Sequence, residues 1–304
     1  SSNYAKTSGQ VRFLPDTTLL SMRPSEISVM NKIWRISEGN SVMIRDKNYD
    51  IRNFGLYHGD QRITVNGKLT EDPGKNLFIA IKNFDIENLN PLISKRLDGI
   101  FNGLINVKDY FHRREINSRV NVRDFSVNEF LVGNIIASSK YDNEQAHLDV
   151  KINVKRNGHQ TMLVEGTVKP DPGKEQLALN AVLSRANLNL IEPFFEDYIS
   201  DVSGFLDGHL KITGEVSNPR VVGSGETREA EFTLDYLNTH YGLQGKIAFD
   251  EDIIDFQNFQ LTDNQSNTGI LNGRISHNGF RQLEYDFTGQ MNNFLVLNTT
   301  SKDN

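Results

Sequence analysis

Strict alternation of apolar and polar residues is the feature that most restricts how this chain can fold. In LDVKINVKR, residues 148–156, the apolar side chains fall on one side of an extended strand and charged or amide side chains on the other. INSRVNV, residues 116–122, follows the same period of two. A strand with one dry face and one wet face favours antiparallel pairing, because parallel sheets are usually covered on both faces.

Short apolar runs of this kind are separated by frequent turn residues, which predicts many strands and few helices. Two segments with Pro, 89–99 and 188–204, have the apolar spacing of a short helix. We therefore predict an all-β fold: an elongated, curved, mainly antiparallel sheet with one or two short helices. Trp34, the single tryptophan, is expected to pack in the β core.

Three segments resemble one another around a central glycine, namely Gly67, Gly166 and Gly273, spaced 99 and 107 residues apart. A turn dipeptide follows each glycine, and the three are Asp72-Pro73, Asp171-Pro172 and Asn278-Gly279. Pro followed by Gly predicts a type II turn, and Asn-Gly predicts a type I′ hairpin.

A period this long indicates degenerate repeats, which we place at residues 27–98, 115–201 and 204–300. We expect residues 1–304 to form one elongated β domain that is a fragment of a longer chain.

The segment Gly204–Glu226 joins two of these repeats. We interpret it as a strand, a turn at Asn218-Pro219 and a second extended piece. Its glycines are expected to let a strongly bent strand turn rather than to approach a ligand.

Composition excludes several classes of function. A net charge of -6 argues against a nucleic-acid partner, since phosphate contacts require a surplus of Lys and Arg. The chain has no cysteine, which excludes disulfides, thiolate metal sites and a Cys nucleophile. No segment approaches the roughly 18 consecutive apolar residues of a membrane-spanning helix.

Catalytic and metal-binding motifs are also missing. The seven histidines form no HxH or HExxH pair, and Gly223-Ser224-Gly225 lacks the third glycine of a dinucleotide fingerprint. The acidic run from Asp250 to Asp255 lacks the spacing of a calcium loop and reads as a solvated hairpin end. We therefore expect no enzyme, no cofactor and no metal.

Four segments in succession resemble a known family: residues 204–226, YGLQGKIAFDEDIIDFQNFQLTD at 241–263, GILNGRISHNGF at 269–280, and NNFLVLNTT at 292–300. They are similar to the translocation and assembly module (TamB) family. That family belongs to the AsmA-like group of repeating β-groove, bridge-like lipid transfer proteins. The resemblance is strongest over Val202 to Thr300, and the rest of the chain follows by internal repeat.

The resemblance implies a periplasmic protein of a Gram-negative bacterium, anchored in the inner membrane by a segment that this chain does not contain. It also implies a curved sheet with a hydrophobic, β-taco-like trough that moves phospholipid toward the outer membrane. Its partners would be phospholipid acyl chains and an outer-membrane barrel of the TamA or Omp85 type.

The residues expected to line such a groove are the apolar members of the alternating strands. They are Ile79, Ile81, Ile116, Val120, Val122, Leu148, Val150, Ile152, Val154, Leu177, Leu179, Leu210, Ile212, Ile247, Phe249, Leu283, Tyr285 and Phe287.

The residues themselves leave alternatives open. A second sheet could cover the same apolar faces, as in an ordinary β-sandwich with a structural role. The family resemblance implies a further alternative, an assembly factor or chaperone that offers a sheet edge to outer-membrane β-barrel proteins.

Overall fold

Strands dominate the computed structural model, which describes residues 3–29, 32–93, 96–170, 175–195 and 198–299. The pairing registers of these strands are antiparallel throughout, so the predicted all-β, antiparallel class is confirmed. The strands are β1 (Tyr4–Lys6), β2 (Gly9–Phe13), β3 (Thr18–Met22), β4 (Glu26–Val29), β5 (Lys32–Ile36), β6 (Ser41–Arg45), β7 (Asn48–His58), β8 (Gln61–Leu69), β9 (Asn76–Asp85), β10 (Leu97–Lys108), β11 (Glu115–Val127), β12 (Phe130–Asp142), β13 (His147–Arg156), β14 (His159–Val168), β15 (Leu177–Asn187), β16 (Ile199–Glu215), β17 (Asn218–Leu234), β18 (Thr239–Asp250), β19 (Ile253–Asp263), β20 (Thr268–Asn278) and β21 (Arg281–Met291).

Both Pro-containing segments overlap a short helix, but the first is helical only over residues 89–92, because its helix begins at Ile86 and strand β10 begins at Leu97. The first segment forms a 3-10 helix, Ile86–Leu92, whose first turn is capped by Asp85 Oδ1 accepting from the Glu87 N–H at 3.0 Å. The second forms a 3-10 turn, Leu188–Ile191, that continues into helix α1, Glu192–Phe195. A further 3-10 turn, Asp235–Leu237, separates β17 from β18.

The chain divides into two compact units. The first comprises Ser1–Glu129 and Gly133–Lys151, and the second comprises Phe130–Val132 and Ile152–Asn304. The first unit therefore holds β1–β11, the second holds β14–β21, and residues of β12 and β13 are divided between them. The single domain expected from the sequence stays a prediction.

Two predicted turns form with details that differ from the expectation. After β8, the Lys75 N–H donates to Asp72 O at 3.1 Å, and Gly74 does not have a positive φ, so this turn is type I rather than type II. The Asp72 side chain accepts from the Gly74 N–H at 2.8 Å and makes a glycine with positive φ unnecessary.

The hairpin between β20 and β21 is type I′, but its two central residues are Gly279 and Phe280, with φ of 57° and 61°. The turn thus lies one residue later than predicted, because Asn278 still pairs with Arg281. The Asp171-Pro172 turn lies outside the described residues.

Gly204–Glu226 belongs to the hairpin of β16 and β17, each 17 residues long. The predicted turn at Asn218-Pro219 is wrong by two residues, since the turn is Val216-Ser217 and Pro219 already pairs with Gly214. Pro219 is tolerated because the pairing of β17 with β18 begins only at Gly223, which leaves the proline nitrogen without a ladder partner to satisfy.

Each unit buries a small apolar core close to its short helix. In the first unit Trp34 is 6% exposed, and its ring lies 5.9 Å from that of Phe84, as the prediction of a core tryptophan requires. In the second unit Leu188 of the 3-10 turn packs with Val202 and Ala230.

Candidate functional site

The candidate site of the first unit is the apolar face of its sheet. The registers place Ile63, Ile81, Gly103 and Val120 side by side across β8 to β11. The neighbouring row contains Val65, Ile79, Ile105 and Ser118 in the same order. Directly paired residues of antiparallel strands point to the same side of the sheet, so these rows form one continuous apolar face.

The second unit has an apolar face built in the same way. One row crosses β15 to β21 through Leu183, Gly208, Gly225, Ile247, Phe256, Gly273 and Phe287. The next row contains Ala181, Leu210, Gly223, Phe249, Ile254, Ile275 and Tyr285. Polar residues such as Lys211 and Lys246 occupy the alternate positions and point to the opposite face.

The predicted groove residues fall on these faces. In the first unit Ile79, Ile81, Ile116, Val120 and Val122 share one face through the registers. In the second unit the same holds for Leu177, Leu179, Leu210, Ile212, Ile247, Phe249, Tyr285 and Phe287, and Leu283 joins them by alternation along β21. Leu148, Val150, Ile152 and Val154 share one side of β13. Whether any of them contacts lipid stays a prediction.

Most of these side chains are only half-buried. Val122, Val154 and Ile247 are buried, whereas Tyr285 and Phe287 are 49% and 39% exposed. The other predicted residues have intermediate exposure. Over the described residues, therefore, the apolar faces keep much of their area accessible, unlike the core of a closed sandwich.

A recurring β-bulge keeps the apolar face continuous along the strands. The four-residue motif appears as IRNF at 51–54, IKNF at 81–84, VRDF at 122–125 and FQNF at 256–259. Its third residue has positive φ: 48° at Asn53, 50° at Asn83, 51° at Asp124 and 52° at Asn258. Because the bulge adds one residue, the first and fourth residues of the motif face the same side.

A side chain on the next strand holds each bulge. The N–H of the bulge residue donates to an Asn Oδ1, and the four donor–acceptor pairs are Asn53–Asn66 at 2.6 Å, Asn83–Asn102 at 2.9 Å, Asp124–Asn134 at 2.9 Å and Asn258–Asn272 at 2.7 Å. Arg185, with φ of 51°, donates in the same way to Asp207 at 2.6 Å. We refer to this arrangement as the bulge clamp.

The bulges place additional aromatic residues on the apolar faces, and the two-residue period of a regular strand does not predict them. Phe259 is fully buried, and its ring lies 5.3 Å from that of Phe256, which in turn lies 5.5 Å from Phe287. In the sequence, Asn53-Phe54 and Asn258-Phe259 occupy corresponding positions in the first and third repeats. The signal that would have revealed the others is the shared spacing of an apolar residue, a polar residue, Asn or Asp, and Phe.

The segment after β21 lies over one end of the second apolar face. The Phe294 ring stacks on Tyr241 at 5.4 Å, and the Leu295 N–H donates to Asp263 Oδ2 at 2.9 Å. Burial opposes ionisation of Asp263, but hydrogen bonds from Asn267, Leu295 and Gln265 outweigh it and lower the pKa of that carboxyl to about 2. Asp263 is thus an ionised anchor for this segment.

The rest of the chemistry near the faces is sparse. The described residues contain no group of three or more His, Asp or Glu side chains placed to hold a metal ion. Burial, followed by the neighbouring Tyr198, raises the pKa of the Tyr285 hydroxyl. None of the helices in the described part of the chain is long and apolar enough to cross a membrane.

Together, the registers, the bulges and the half-exposed apolar faces define two repetitive β units, each an antiparallel sheet with one apolar face. The family model described as "TamB, N-terminal domain" matches residues 77–226, about half of the chain. The chain belongs to the TamB family. Comparisons with curated proteins and with solved structures give no match.

The position of the family match differs from the sequence expectation. The resemblance was expected to be strongest over Val202 to Thr300, but the family model covers that stretch only as far as residue 226. The matched segment instead contains the first unit's strands β10 and β11 and the hairpin of β16 and β17 as far as Glu226.

Proposed function

We propose that this chain is a non-enzymatic periplasmic module that binds phospholipid acyl chains on its apolar faces and conducts them between the inner and outer membranes. The observation that carries the proposal is the unbroken row of apolar residues and glycines across β15 to β21, which remains partly exposed. Membership of the TamB family supports a transport or assembly role of this kind.

The energetic requirement of lipid transfer fits such a surface. Exposing an acyl chain to water costs about 0.8 kcal/mol per CH₂, or about 13 kcal/mol for a chain of about 16 carbons. A row of aliphatic and aromatic side chains offsets this cost without any specific recognition chemistry. Because strands lie about 4.8 Å apart, a chain crossing them meets a new apolar side chain or glycine at each step.

A charge placed on the apolar face tests the proposal. Phe249→Glu puts a carboxylate between Gly223 and Ile254, whereas Ala248→Glu puts the same group on the exposed opposite side of the same strand. We expect the wild-type chain, purified without detergent, to carry phospholipid in native mass spectrometry. Phe249→Glu should lose it while keeping its far-UV spectrum, and Ala248→Glu should retain it.

The half-exposed Phe287 provides a second variant that does not depend on the fold tolerating Phe249→Glu. Phe287 is 39% exposed, more than Phe249, so Phe287→Glu removes less buried area yet still places a charge on the same apolar face, in the neighbouring row. Repeated absence of lipid from the wild-type chain, or retention of lipid in both face variants, would contradict the conduit.

A second candidate function is that of an assembly factor for outer-membrane β-barrel proteins, working with a barrel partner of the TamA or Omp85 type. Membership of the TamB family supports this role, in which a strand edge such as that of β21 would accept an incoming strand. Photocrosslinkers at Glu284 and Asp286 should then trap barrel proteins in cells, and crosslinkers on β18 should not.

A further inference from the structure

The first unit contains a concavity whose lining side chains lie mostly on the polar face, opposite the apolar rows. Ile81 and Val150, two of the predicted groove residues, also border it. Its volume is about 860 Å³, and it crosses strands β9 to β13. The registers pair Asn106 with Asn117, Leu104 with Arg119, and Asn102 with Asn121 on this side of the sheet. We call this the asparagine cleft.

Its asparagines are poorly explained by the fold. Asn is disfavoured in strands, because its side chain competes with the ladder for backbone hydrogen bonds. Asn102 has a structural task, since its Oδ1 accepts from Asn83. Asn117 and Asn121 make no side-chain hydrogen bond with the described residues, and Asn106 Oδ1 is buried without a partner among them. These amides are available to a ligand.

The cleft is also basic, although the whole chain carries a net charge of -6. Arg119, Lys140 and Lys151 line it, against the single carboxylate of Asp149. The Asp149 carboxylate is 3.1 Å from His147 Nε2, and Arg119 forms no ion pair within the described part of the chain. Beside the cleft, Arg62 and Lys82 stand directly opposite each other, a like-charge pairing that destabilises a sheet unless an anion lies nearby.

We propose that the asparagine cleft binds an anionic saccharide. Side-chain amides both donate and accept, which suits sugar hydroxyls, and a guanidinium binds a carboxylate or sulfate through two parallel hydrogen bonds. The volume lies within the usual range of about 300–1,000 Å³ for ligand sites.

Other anions fit the cleft less well. Its lining contains no aromatic ring on which a nucleic-acid base could stack. A membrane surface would require several apolar anchors beside the basic groups, whereas this site presents Leu104 as its main exposed apolar side chain.

Isothermal titration of the chain with oligogalacturonate, and with a neutral malto-oligosaccharide of the same length, tests the proposal. We expect saturable binding of the anionic sugar that weakens as salt is added, and at least about tenfold weaker binding of the neutral one, the equivalent of about 1.4 kcal/mol. Arg119→Glu should weaken the anionic sugar by at least the same factor.

Matched controls separate the site from general charge and folding effects. Arg123→Glu makes the same change on the same strand and face but outside the cleft, and should leave binding within about twofold, since exposed charges are strongly screened. The double variant Asn117→Ala and Asn121→Ala should weaken the binding of both sugars, whereas Asn180→Ala on β15 should change the binding of neither. Every variant must have the same melting temperature as the wild type, so that a loss of binding does not reflect unfolding.

Three results would overturn the proposal: no saturable binding of oligogalacturonate, equal losses in Arg119→Glu and Arg123→Glu, or equal affinity for the neutral sugar. Vesicles of phosphatidylglycerol that bind through Arg119 and displace the sugar would also overturn it, in favour of a lipid headgroup surface.

Discussion

The central glycines of the repeats provide the sharpest test of the fold, because the structure gives each a specific steric reason. A Cβ added to Gly166 would lie 2.1 Å from Ala178 O, and one added to Gly67 would lie 2.1 Å from Asn76 O. Both residues also have positive φ, 149° and 117° respectively. Gly158 is the matched control, since its φ is 82° but a Cβ there would meet nothing within 4 Å.

The magnitudes follow from separating backbone strain from the clash. Positive φ in the left-handed region costs an L-residue about 1–2 kcal/mol, and the cost is at least as large at Gly166 and Gly67, whose φ values lie beyond that region. At Gly166 and Gly67 the added methyl must also displace a backbone carbonyl of the neighbouring strand, which overpacking data put at about 1–3 kcal/mol. Gly158→Ala should therefore cost about 1–2 kcal/mol, and Gly166→Ala or Gly67→Ala about 2–5 kcal/mol.

Urea denaturation followed by far-UV circular dichroism measures the difference, and amide hydrogen exchange on β14 and β15 locates it. We expect Gly166→Ala to lower the free energy of unfolding by at least about 1 kcal/mol more than Gly158→Ala does. Equal effects of the two variants would show that the carbonyl contact is not the reason for glycine at Gly166.

Two further predictions concern the bulge clamp and acid stability. Asn272→Ala should lower the free energy of unfolding by about 1 kcal/mol, because the Asn258 N–H loses the acceptor that lies 2.7 Å away. Asn272→Asp keeps an acceptor oxygen and should therefore keep most of the stability. Equal losses for the two variants in thermal melts would contradict the bulge clamp. Hydrogen bonds from Arg52, together with Lys68, lower the pKa of Asp50 to about 2, and that of Asp263 is also about 2. Both folded-state values lie below the ordinary unfolded value of about 3.9, so their stabilisation is present above about pH 4 and is lost as pH falls toward 2. Asp50→Asn with Asp263→Asn should flatten urea midpoints over that range, and an unchanged slope would contradict this.

The sequence was sufficient to predict which residues share a face, but not how the strands meet. Alternation along β11 and β13 depends only on the backbone period of two, so the sides of Ile116 and Val150 follow directly from their positions. Pairing partners such as Ile79 with Ile105 depend on turn geometry and bulges, which a single sequence specifies only weakly. The hairpin turn between β20 and β21 illustrates this. It is type I′ as predicted, but it lies one residue later, so its central residues are Gly279 and Phe280 rather than Asn278 and Gly279.

The polar cleft was beyond sequence reasoning for a different reason. Asn117, Arg119 and Asn121 read as the ordinary wet side of a strand, and that interpretation is correct for most such residues. What distinguishes them is the register that pairs Asn117 with Asn106 and Asn121 with Asn102, together with the missing partner of Asn106 Oδ1. Neither property exists in one strand alone.

The bulge clamp explains why polar Asn residues recur in strands that must present an apolar face. A strand of strict period two can keep one side apolar only while it stays in phase with its neighbours, and strand twist accumulates across a sheet. One bulge inserts a residue, increases the local twist and returns Phe259 to the side of Phe256. Without the added residue, every apolar side chain beyond Asn258 on β19 would turn to the polar face. The Asn at positive φ and its Asn partner on the next strand therefore allow these strands to bend while one face of each strand stays apolar.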